Sequence, residues 1–317
     1  MAEKNTYKFC APDGLAPEAE ELFKKSEVFE WLDPSTDWLN AEVLVVRSAT
    51  SVTTELVDKM PDLKFVLRAG VGTDNIDFEA CNKKSIKIWR APEGNFQSTA
   101  ELALGMVFSL FRNLNTATTT TQKGEWKKKE LSKSGKQVAG AKLGVLGAGN
   151  IGLRLAKMAK SLGMGVSIHD PFYKGSEYPN LSLEELFEFC DVVSMHLPLT
   201  DQTRSIVNID LINKSKNGVF IINTSRGGLV SEEDLALGLE SGKLLGLGLD
   251  VYTNEPVDVA DSAISKLFAH PRVVLTPHMG ASTKEAQRAV GLEAFDKLSR
   301  IVEDQDLGRD FRDSPLN

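Results

Sequence analysis

An arginine, a glutamate and a histidine each follow an apolar run of the sequence. Arg226 ends "GVFIINTSR", Glu255 follows "GLGLDV", and His278 ends "RVVLTPH". A guanidinium can bind a carboxylate through its planar fork of N–H groups and polarise a neighbouring carbonyl. An imidazole can give a proton to the alkoxide that forms when a 2-oxo acid is reduced, and a carboxylate on its other ring nitrogen would hold the ring in place. These residue types predict reversible hydride transfer to a 2-oxo acid.

Each of these residues alone also has an ordinary structural explanation. Arg226 could be a surface residue, Glu255 could be a turn acid before Pro256, and His278 could be a structural histidine in a turn. Their shared position carries more information, because ligands of open α/β sheets bind just beyond the carboxyl ends of the strands. The glycines that follow Arg226, Gly227 and Gly228, predict open space for substrate and nicotinamide beside the arginine.

A glycine-rich turn predicts the cofactor. Gly147, Gly149 and Gly152 form a G-x-G-x-x-G pattern between an apolar run and an amphipathic helix. Such glycines allow a tight turn, a close approach to a pyrophosphate and close helix packing, and the helix N-terminus attracts the phosphates. Asp170 follows the next strand, where a carboxylate binds the ribose hydroxyls and repels a 2′-phosphate. The pattern favours NAD over NADP, and the alternative is a glycine turn with a solvated acid before Pro171.

The surrounding sequence alternates short apolar runs with helix-length amphipathic segments. Continuous apolar strands separated by helices are typical of parallel strands that helices cover on both faces. The runs fall into two sets, at 8–11, 43–46, 65–68 and 86–89, and at 142–147, 165–170, 191–198, 218–225, 246–251 and 272–278. This pattern predicts an α/β protein with two doubly wound, parallel-sheet, Rossmann-like domains separated by a cleft.

One of the two domains is predicted to be discontinuous. Ser98 and Glu101 have the spacing of a capping box at the start of a long apolar helix. A second helix after the last apolar run could return to the first domain. We therefore expect a substrate-binding domain at 1–96 and 288–317, and an NAD-binding domain at 97–287.

Composition excludes several classes of protein. The 317 residues carry a net charge of −7, which argues against a nucleic-acid or anionic-membrane partner. No apolar stretch is long enough to span a bilayer, and the N-terminus has no apolar signal core. The scattered Cys10, Cys81 and Cys190 are typical of reduced thiols in a cytoplasmic protein, and no metal site is expected.

Four segments in this order carry a family resemblance: "GAGNIG", "NTSRGGLV", "DVYTNEP" and "PHMGAST". The sequence resembles the D-isomer-specific 2-hydroxyacid dehydrogenases over nearly its whole length. The resemblance implies NAD as cofactor, a homodimer, and Arg226, Glu255 and His278 as the catalytic residues. The cofactor-lining positions that it implies are Val71, Gly147, Gly149, Asn150, Ile151, Gly152, Asp170, Pro171, Leu197, Pro198, Thr224, Ser225, Asp250, Gly280 and Ala281.

Two arginines in the N-terminal half narrow the range of possible substrates. Arg47 and Arg68 follow neighbouring apolar runs, and two arginines exceed what one carboxylate needs. Either arginine could instead pair with an acid of its own domain. These segments are most similar to the phosphoglycerate dehydrogenase branch of the family, in which the loop Gly70–Gly72, with Val71 at its centre, holds the substrate carboxylate. The alternatives are a hydroxypyruvate or glyoxylate reductase and, more remotely, an NAD-sensing corepressor of the same fold.

Two further expectations concern regulation and assembly. The sequence ends soon after the predicted returning helix, so we expect no C-terminal regulatory domain and little feedback inhibition by serine. The segment from Trp126 to Lys129 is rich in lysine, which is typical of a solvated surface. It could alternatively extend to the partner subunit and add positive charge to the phosphate site there.

Overall fold

The structure, a computed structural model, describes residues 6–36 and 38–303. It divides into two compact units, the first running to Phe96 and resuming at Ala281, and the second spanning Gln97–Gly280. The chain crosses between the units at 96/97 and at 280/281, and the returning helix begins at Lys284. The substrate-binding domain at 1–96 and 288–317 and the NAD-binding domain at 97–287 remain predictions.

The elements alternate along most of the chain. The strands are β1 (Tyr7–Cys10), β2 (Phe29–Trp31), β3 (Val43–Val46), β4 (Phe65–Arg68), β5 (Lys87–Arg90), β6 (Lys142–Leu146), β7 (Gly165–His169), β8 (Val192–Met195), β9 (Val219–Asn223), β10 (Leu244–Leu249) and β11 (Val273–Leu275). The α-helices are α1 (Pro17–Lys25), α2 (Thr54–Lys59), α3 (Phe78–Lys83), α4 (Phe96–Phe111), α5 (Leu114–Gln122), α6 (Lys128–Leu131), α7 (Asn150–Ser161), α8 (Leu183–Phe189), α9 (Ile209–Lys214), α10 (Glu232–Glu240), α11 (Ser262–Ala269) and α12 (Lys284–Glu303). None of the helices within the described ranges is long and apolar enough to cross a membrane.

The first unit is a five-stranded parallel sheet in the order β2-β1-β3-β4-β5. Alternate strand residues enter separate cores on its two faces. Val45 and Leu67 pack with α1 and α12 on one face, while Val66 and Ile88 pack with α2 and α3 on the other. Because all strands run the same way, the segments that follow β3, β4 and β5 lie at one edge of this sheet.

The second unit is a six-stranded parallel sheet in the order β11-β10-β9-β8-β6-β7. Its cores contain α4 and α7 on one face and α8, α9 and α10 on the other. The order in which strands are added to the sheet reverses at β6, because β7 lies on one side of β6 and β8 lies on the other. The loops after β6 and β8 are therefore neighbours. In open α/β sheets such a switch point is where ligands bind.

The predicted fold class, α/β with two doubly wound parallel sheets, is confirmed by this architecture, and two details differ. The sequence-based strands omit β2, which has only three residues and lies at the edge of its sheet. Helix α4 begins at Phe96, before the predicted cap at Ser98. The chain is already helical there, because a 3₁₀ turn at Glu93–Asn95 leads into the helix and Phe96 has φ −63° and ψ −42°. Ser98 is a buried residue of the first turn.

Candidate active site

The predicted catalytic residues lie after three neighbouring strands of the second sheet. Arg226 follows β9, Glu255 follows β10 and His278 follows β11. These strands are adjacent in the order β11-β10-β9, and all are parallel. The three residues therefore lie at the same edge of the second sheet, within one unit.

Glu255 and His278 form a direct pair. Nδ1 of His278 lies 2.6 Å from Oε2 of Glu255, and Oε1 of Glu255 accepts a hydrogen bond from the Tyr252 N–H at 3.0 Å. Burial opposes ionisation of Glu255, but these hydrogen bonds and the charges of His278 and Arg226 hold its pKa below the ordinary value. The carboxylate thus stays ionised and fixes the ring through Nδ1, which leaves Nε2 as the nitrogen available for proton transfer.

A buried aspartate holds the backbone around His278. Asp250 accepts hydrogen bonds from the Thr276 hydroxyl at 2.5 Å, the Met279 N–H at 2.8 Å and the Gly280 N–H at 2.8 Å. His278 itself has φ +51°, a left-handed conformation that costs energy in a residue other than glycine. The resemblance implies that Asp250 contacts the cofactor, and the structure adds a second function, the support of the strained histidine.

The backbone of Arg226 is fixed by the last residue of β9. The Asn223 side chain donates to the Arg226 carbonyl at 2.7 Å and accepts from the Ser225 N–H at 3.0 Å. Nη1 of Arg226 donates to the Ser225 carbonyl at 2.6 Å. Because the charge of Arg226 helps to lower the pKa of Glu255, the arginine belongs to the same electrostatic set as the Glu255–His278 pair.

The prediction that both glycines after Arg226 provide room for ligands is wrong. A methyl group at Gly227 would lie 1.9 Å from the carbonyl carbon of Tyr252 and 2.3 Å from the nitrogen of Thr253. One at Gly228 would meet the Leu199 side chain at 3.1 Å. Gly227 therefore allows the Arg226 loop and the Glu255 loop to pack backbone against backbone, which sets the spacing of the two side chains.

A buried glutamate that no sequence motif predicts stabilises the same contact between the two loops. Glu232 lies in the first turn of α10, and its carboxylate accepts from the Thr253 N–H at 2.8 Å and from the Thr253 hydroxyl at 2.7 Å. The positive end of the helix dipole favours a carboxylate at this position. Glu232 thus anchors the segment that carries Glu255 to the helix that follows Arg226.

Gly227→Ala is expected to destabilise the protein, because the new methyl group meets backbone atoms that cannot rotate away. Overpacking typically costs up to about 3 kcal/mol, and we expect Tm to fall by about 6–12 °C. Gly228→Ala is the matched control, since its nearest neighbour is the flexible end of Leu199. Differential scanning calorimetry of both variants checks the difference, and equal Tm values would contradict the proposed backbone contact.

The glycine-rich turn has the geometry of a dinucleotide site. Gly147 has φ +99°, and a methyl group there would lie 2.8 Å from the His196 carbonyl oxygen of the neighbouring loop. One at Gly152 would lie 2.0 Å from the Gly147 carbonyl oxygen, whereas nothing lies within 4 Å of the corresponding position at Gly149. The first and third glycines thus pack the turn tightly, and the second leaves its backbone open at the N-terminus of α7, where Asn150 and Ile151 begin the helix.

Asp170 follows β7 and is oriented by two backbone groups. One oxygen accepts from the Ala148 N–H and the other from the Phe172 N–H, each at 2.8 Å. The carboxylate is therefore fixed beside the glycine-rich turn, with Pro171 next in sequence. This arrangement matches a carboxylate that binds the ribose hydroxyls of NAD.

The loops after β8 and β9 contain two buried polar atoms with no hydrogen-bond partner. They are Oγ1 of Thr224 and Nδ1 of His196, and burial lowers the pKa of His196 to about 4, so its ring is neutral. The same loops carry Leu197, whose carbonyl accepts from the Ser225 hydroxyl, and Pro198. Buried polar atoms normally have hydrogen-bond partners. The two unpaired atoms are therefore consistent with a polar ligand at this edge of the second sheet. Thr224 is among the predicted cofactor-lining residues and His196 is not, although His196 ends the apolar run "VVSMH".

The first unit presents its arginines at the carboxyl ends of its strands. Arg68 is the last residue of β4, and its Nη1 donates to the Ala69 carbonyl at 2.5 Å. A methyl group at Gly70 would lie 2.2 Å from that Nη1, so the guanidinium lies against the predicted substrate loop, Gly70–Gly72. Arg47 directly follows β3, and its N–H donates to the Asp13 carboxylate at 2.6 Å.

The cysteines are unsuited to nucleophilic catalysis. All three are buried, and none forms a disulfide. Burial raises the pKa of Cys10 and of Cys190 to about 12, so both stay protonated. Within residues 6–36 and 38–303, no group of three or more histidine, cysteine, aspartate or glutamate side chains could hold a metal ion.

A dinucleotide-type turn and an Arg, Glu and His set on the carboxyl edge of one parallel sheet define an oxidoreductase of the nicotinamide-dependent class. Residues 104–280 match the family described as D-isomer specific 2-hydroxyacid dehydrogenase, NAD binding domain. The chain belongs to the D-2-hydroxyacid dehydrogenase family, and NAD is its cofactor.

The relatives differ in length and in activity. A hydroxypyruvate reductase of Thermotoga maritima is 40% identical over 92% of this chain and 97% of its own length. A D-3-phosphoglycerate dehydrogenase of Bacillus subtilis is 38% identical over 92% of this chain, which spans only 55% of that protein. Among solved structures, a D-lactate dehydrogenase from Aquifex aeolicus complexed with NAD and lactic acid has a TM-score of 0.80 and 28% identity, over 95% of this chain and 97% of that one.

Proposed function

We propose that this protein is a D-3-phosphoglycerate dehydrogenase. It would oxidise D-3-phosphoglycerate to 3-phosphohydroxypyruvate with NAD, the first step of serine biosynthesis. The observation that carries the proposal is the position of Arg68, whose guanidinium lies against the Gly70–Gly72 loop while Arg47 follows the neighbouring strand. A phosphate ester and a carboxylate together supply the negative charge that such arginines bind.

The residues of the second unit account for the reaction. Arg226 binds the substrate carboxylate and polarises the oxygen on carbon 2. Bound NAD would supply the acceptor for the hydride that leaves carbon 2. His278 takes the hydroxyl proton at Nε2, and Glu255 stabilises the resulting imidazolium through Nδ1. In the reverse direction the same imidazolium returns the proton to the oxygen.

A second candidate is a hydroxypyruvate reductase. It is favoured by the Thermotoga maritima relative, which is aligned over almost its whole length. The two activities share the second unit and its chemistry, and they differ in the group on carbon 3. A hydroxyl there is neutral, whereas a phosphate carries about −1.5 to −2 charges at pH 7.

A substrate panel tests the proposal. NADH oxidation is measured with 3-phosphohydroxypyruvate, hydroxypyruvate and glyoxylate, and we expect kcat/KM to be at least about tenfold higher for the phosphorylated acid. Equal or higher values for hydroxypyruvate would support the reductase instead. Absence of oxidation with all three acids would support the non-enzymatic, NAD-sensing alternative.

We also propose a homodimer, as the family resemblance implies. Trp126 is 82% exposed, which is high for a tryptophan on a monomer surface. Of the neighbouring lysines, Lys127 pairs with Glu125 at 3.0 Å, so the cation density of this segment is lower than the sequence indicates.

A further inference from the structure

Two polar residues, His196 and Thr224, directly follow the adjacent strands β8 and β9. The strands are in register at Met195 and Asn223, so the next residues begin side by side at the carboxyl edge of the second sheet. Nδ1 of His196 and Oγ1 of Thr224 are buried, and neither has a hydrogen-bond partner among the described residues. The backbone of His196 is fixed, because its N–H donates to the carbonyl of Leu146, the last residue of β6, at 2.7 Å.

Both side chains project to the face of the sheet against which α7 packs. Side chains alternate between the two faces of a strand. Ile222, two residues before Thr224, belongs to the core that α4 and α7 cover. A methyl group at Gly147 would lie 2.8 Å from the His196 carbonyl oxygen, so the loop after β8 contacts the glycine-rich turn that leads into α7.

The strand order places this pair opposite the middle of a dinucleotide. Asp170 follows β7, the glycine-rich turn follows β6, and Glu255 and His278 follow β10 and β11. NAD with its adenosine at Asp170 and its nicotinamide at His278 would pass the ends of β8 and β9 with its pyrophosphate and the adjoining ribose.

The hydroxyl of Ser194 determines which nitrogen of His196 carries the proton. Ser194 is fully buried, and among residues 6–36 and 38–303 the one hydrogen-bond contact of its Oγ is Nε2 of His196, at 2.9 Å. Because a buried O–H needs an acceptor, Ser194 donates to Nε2. Burial lowers the pKa of His196 to about 4, so the ring is neutral and its single proton is on Nδ1. Nδ1 is therefore a buried donor that still needs an acceptor.

We infer that His196 is a cofactor-binding residue whose Nδ1–H donates to an oxygen of NAD, either on the pyrophosphate or on the ribose that joins it to nicotinamide. Both groups offer oxygen acceptors, and the neighbouring Thr224 hydroxyl can donate or accept. A buried donor without an acceptor costs free energy, and an oxygen of the bound cofactor removes that cost, so the contact favours the bound state. This role is independent of which 2-hydroxy acid is the substrate.

Two variants test the two ring nitrogens separately. His196→Asn keeps an N–H at the position of Nδ1 and loses the group that contacts Ser194, whereas His196→Gln places its amide near the position of Nε2 and loses the donor at Nδ1. We expect the dissociation constant of NADH, measured by isothermal titration calorimetry, to rise by about fivefold to fiftyfold in His196→Gln and by no more than about threefold in His196→Asn. An asparagine variant as impaired as the glutamine variant would overturn the inference.

Nucleotide fragments locate the acceptor. AMP lacks the pyrophosphate and the second ribose, ADP adds the pyrophosphate, and ADP-ribose adds the ribose as well. AMP should bind the wild-type protein and His196→Gln equally. Weaker binding of ADP by the variant would place the acceptor on the pyrophosphate, and weaker binding of ADP-ribose alone would place it on the ribose. A loss of AMP affinity as large as the loss for NADH would overturn the role of Nδ1, because the whole site would then be altered.

The tautomer can be tested in the wild-type protein, which needs no variant to fold. The chain has four histidines, so nitrogen-15 labelling of histidine allows the ring signals of His196 to be assigned by NMR. We expect the proton on Nδ1 in the free protein and a change of the Nδ1 signal when NADH is added. A proton on Nε2, or an Nδ1 signal that NADH leaves unchanged, would contradict the assignment.

Discussion

Arg226→Gln is expected to lower kcat/KM for the preferred 2-oxo acid by about a hundredfold to a thousandfold, the range seen when one oxyanion-stabilising donor is removed. Glutamine cannot form the planar, charged pair of N–H bonds with a carboxylate. The change also removes a positive charge that helps to keep the pKa of Glu255 low.

The geometry permits two informative controls. Arg226→Lys keeps the charge and loses the fork, so we expect it to recover only part of the activity. Arg204→Gln removes an exposed arginine whose Nη1 lies 3.5 Å from the side-chain position of Gly228, and it should change kcat/KM by no more than about twofold to threefold. Steady-state NADH oxidation, with circular dichroism to verify folding, measures all three variants. A glutamine variant with near-normal turnover would remove Arg226 from the mechanism.

The sequence predicts the fold and the candidate catalytic set because both depend on local patterns. A buried parallel strand such as β9 is a continuous apolar run, and the residue that follows it must lie at the carboxyl edge of the sheet. That single rule places Arg226, Glu255 and His278 together without any knowledge of packing.

The supporting residues could not be predicted in this way, because their contacts join distant parts of the chain. Glu232 looks like an ordinary first-turn acid of α10 until the fold brings Thr253 to it. Asp250 shows no sign in the sequence of accepting three hydrogen bonds from residues 276–280. The function of Gly227 is likewise visible only when the backbone of Tyr252 is seen against it.

His278→Asn is expected to lower kcat by about a hundredfold to ten-thousandfold in both directions, since it removes the group that transfers the proton. Glu255→Gln tests the second part of the pair. An amide oxygen can still accept a hydrogen bond from Nδ1 of His278, so the ring keeps its orientation, but the negative charge that stabilises the imidazolium is lost. The glutamine variant should therefore be less impaired than the asparagine variant.

The pH dependence separates orientation from charge. Glu255→Gln keeps an acceptor for Nδ1 of His278 but removes the ionisable carboxylate, so the acid limb of kcat/KM that belongs to Glu255 should be absent from the Glu255→Gln profile. In the wild-type protein the pKa of Glu255 is lowered, so its carboxylate stabilises the pair above the ordinary glutamate pKa of about 4.3, and this stabilisation is lost only as the pH falls below that value. The acid limb of wild-type activity should accordingly lie below the ordinary glutamate range. A Glu255→Gln profile that is lowered uniformly without moving would mean that Glu255 only orients the ring.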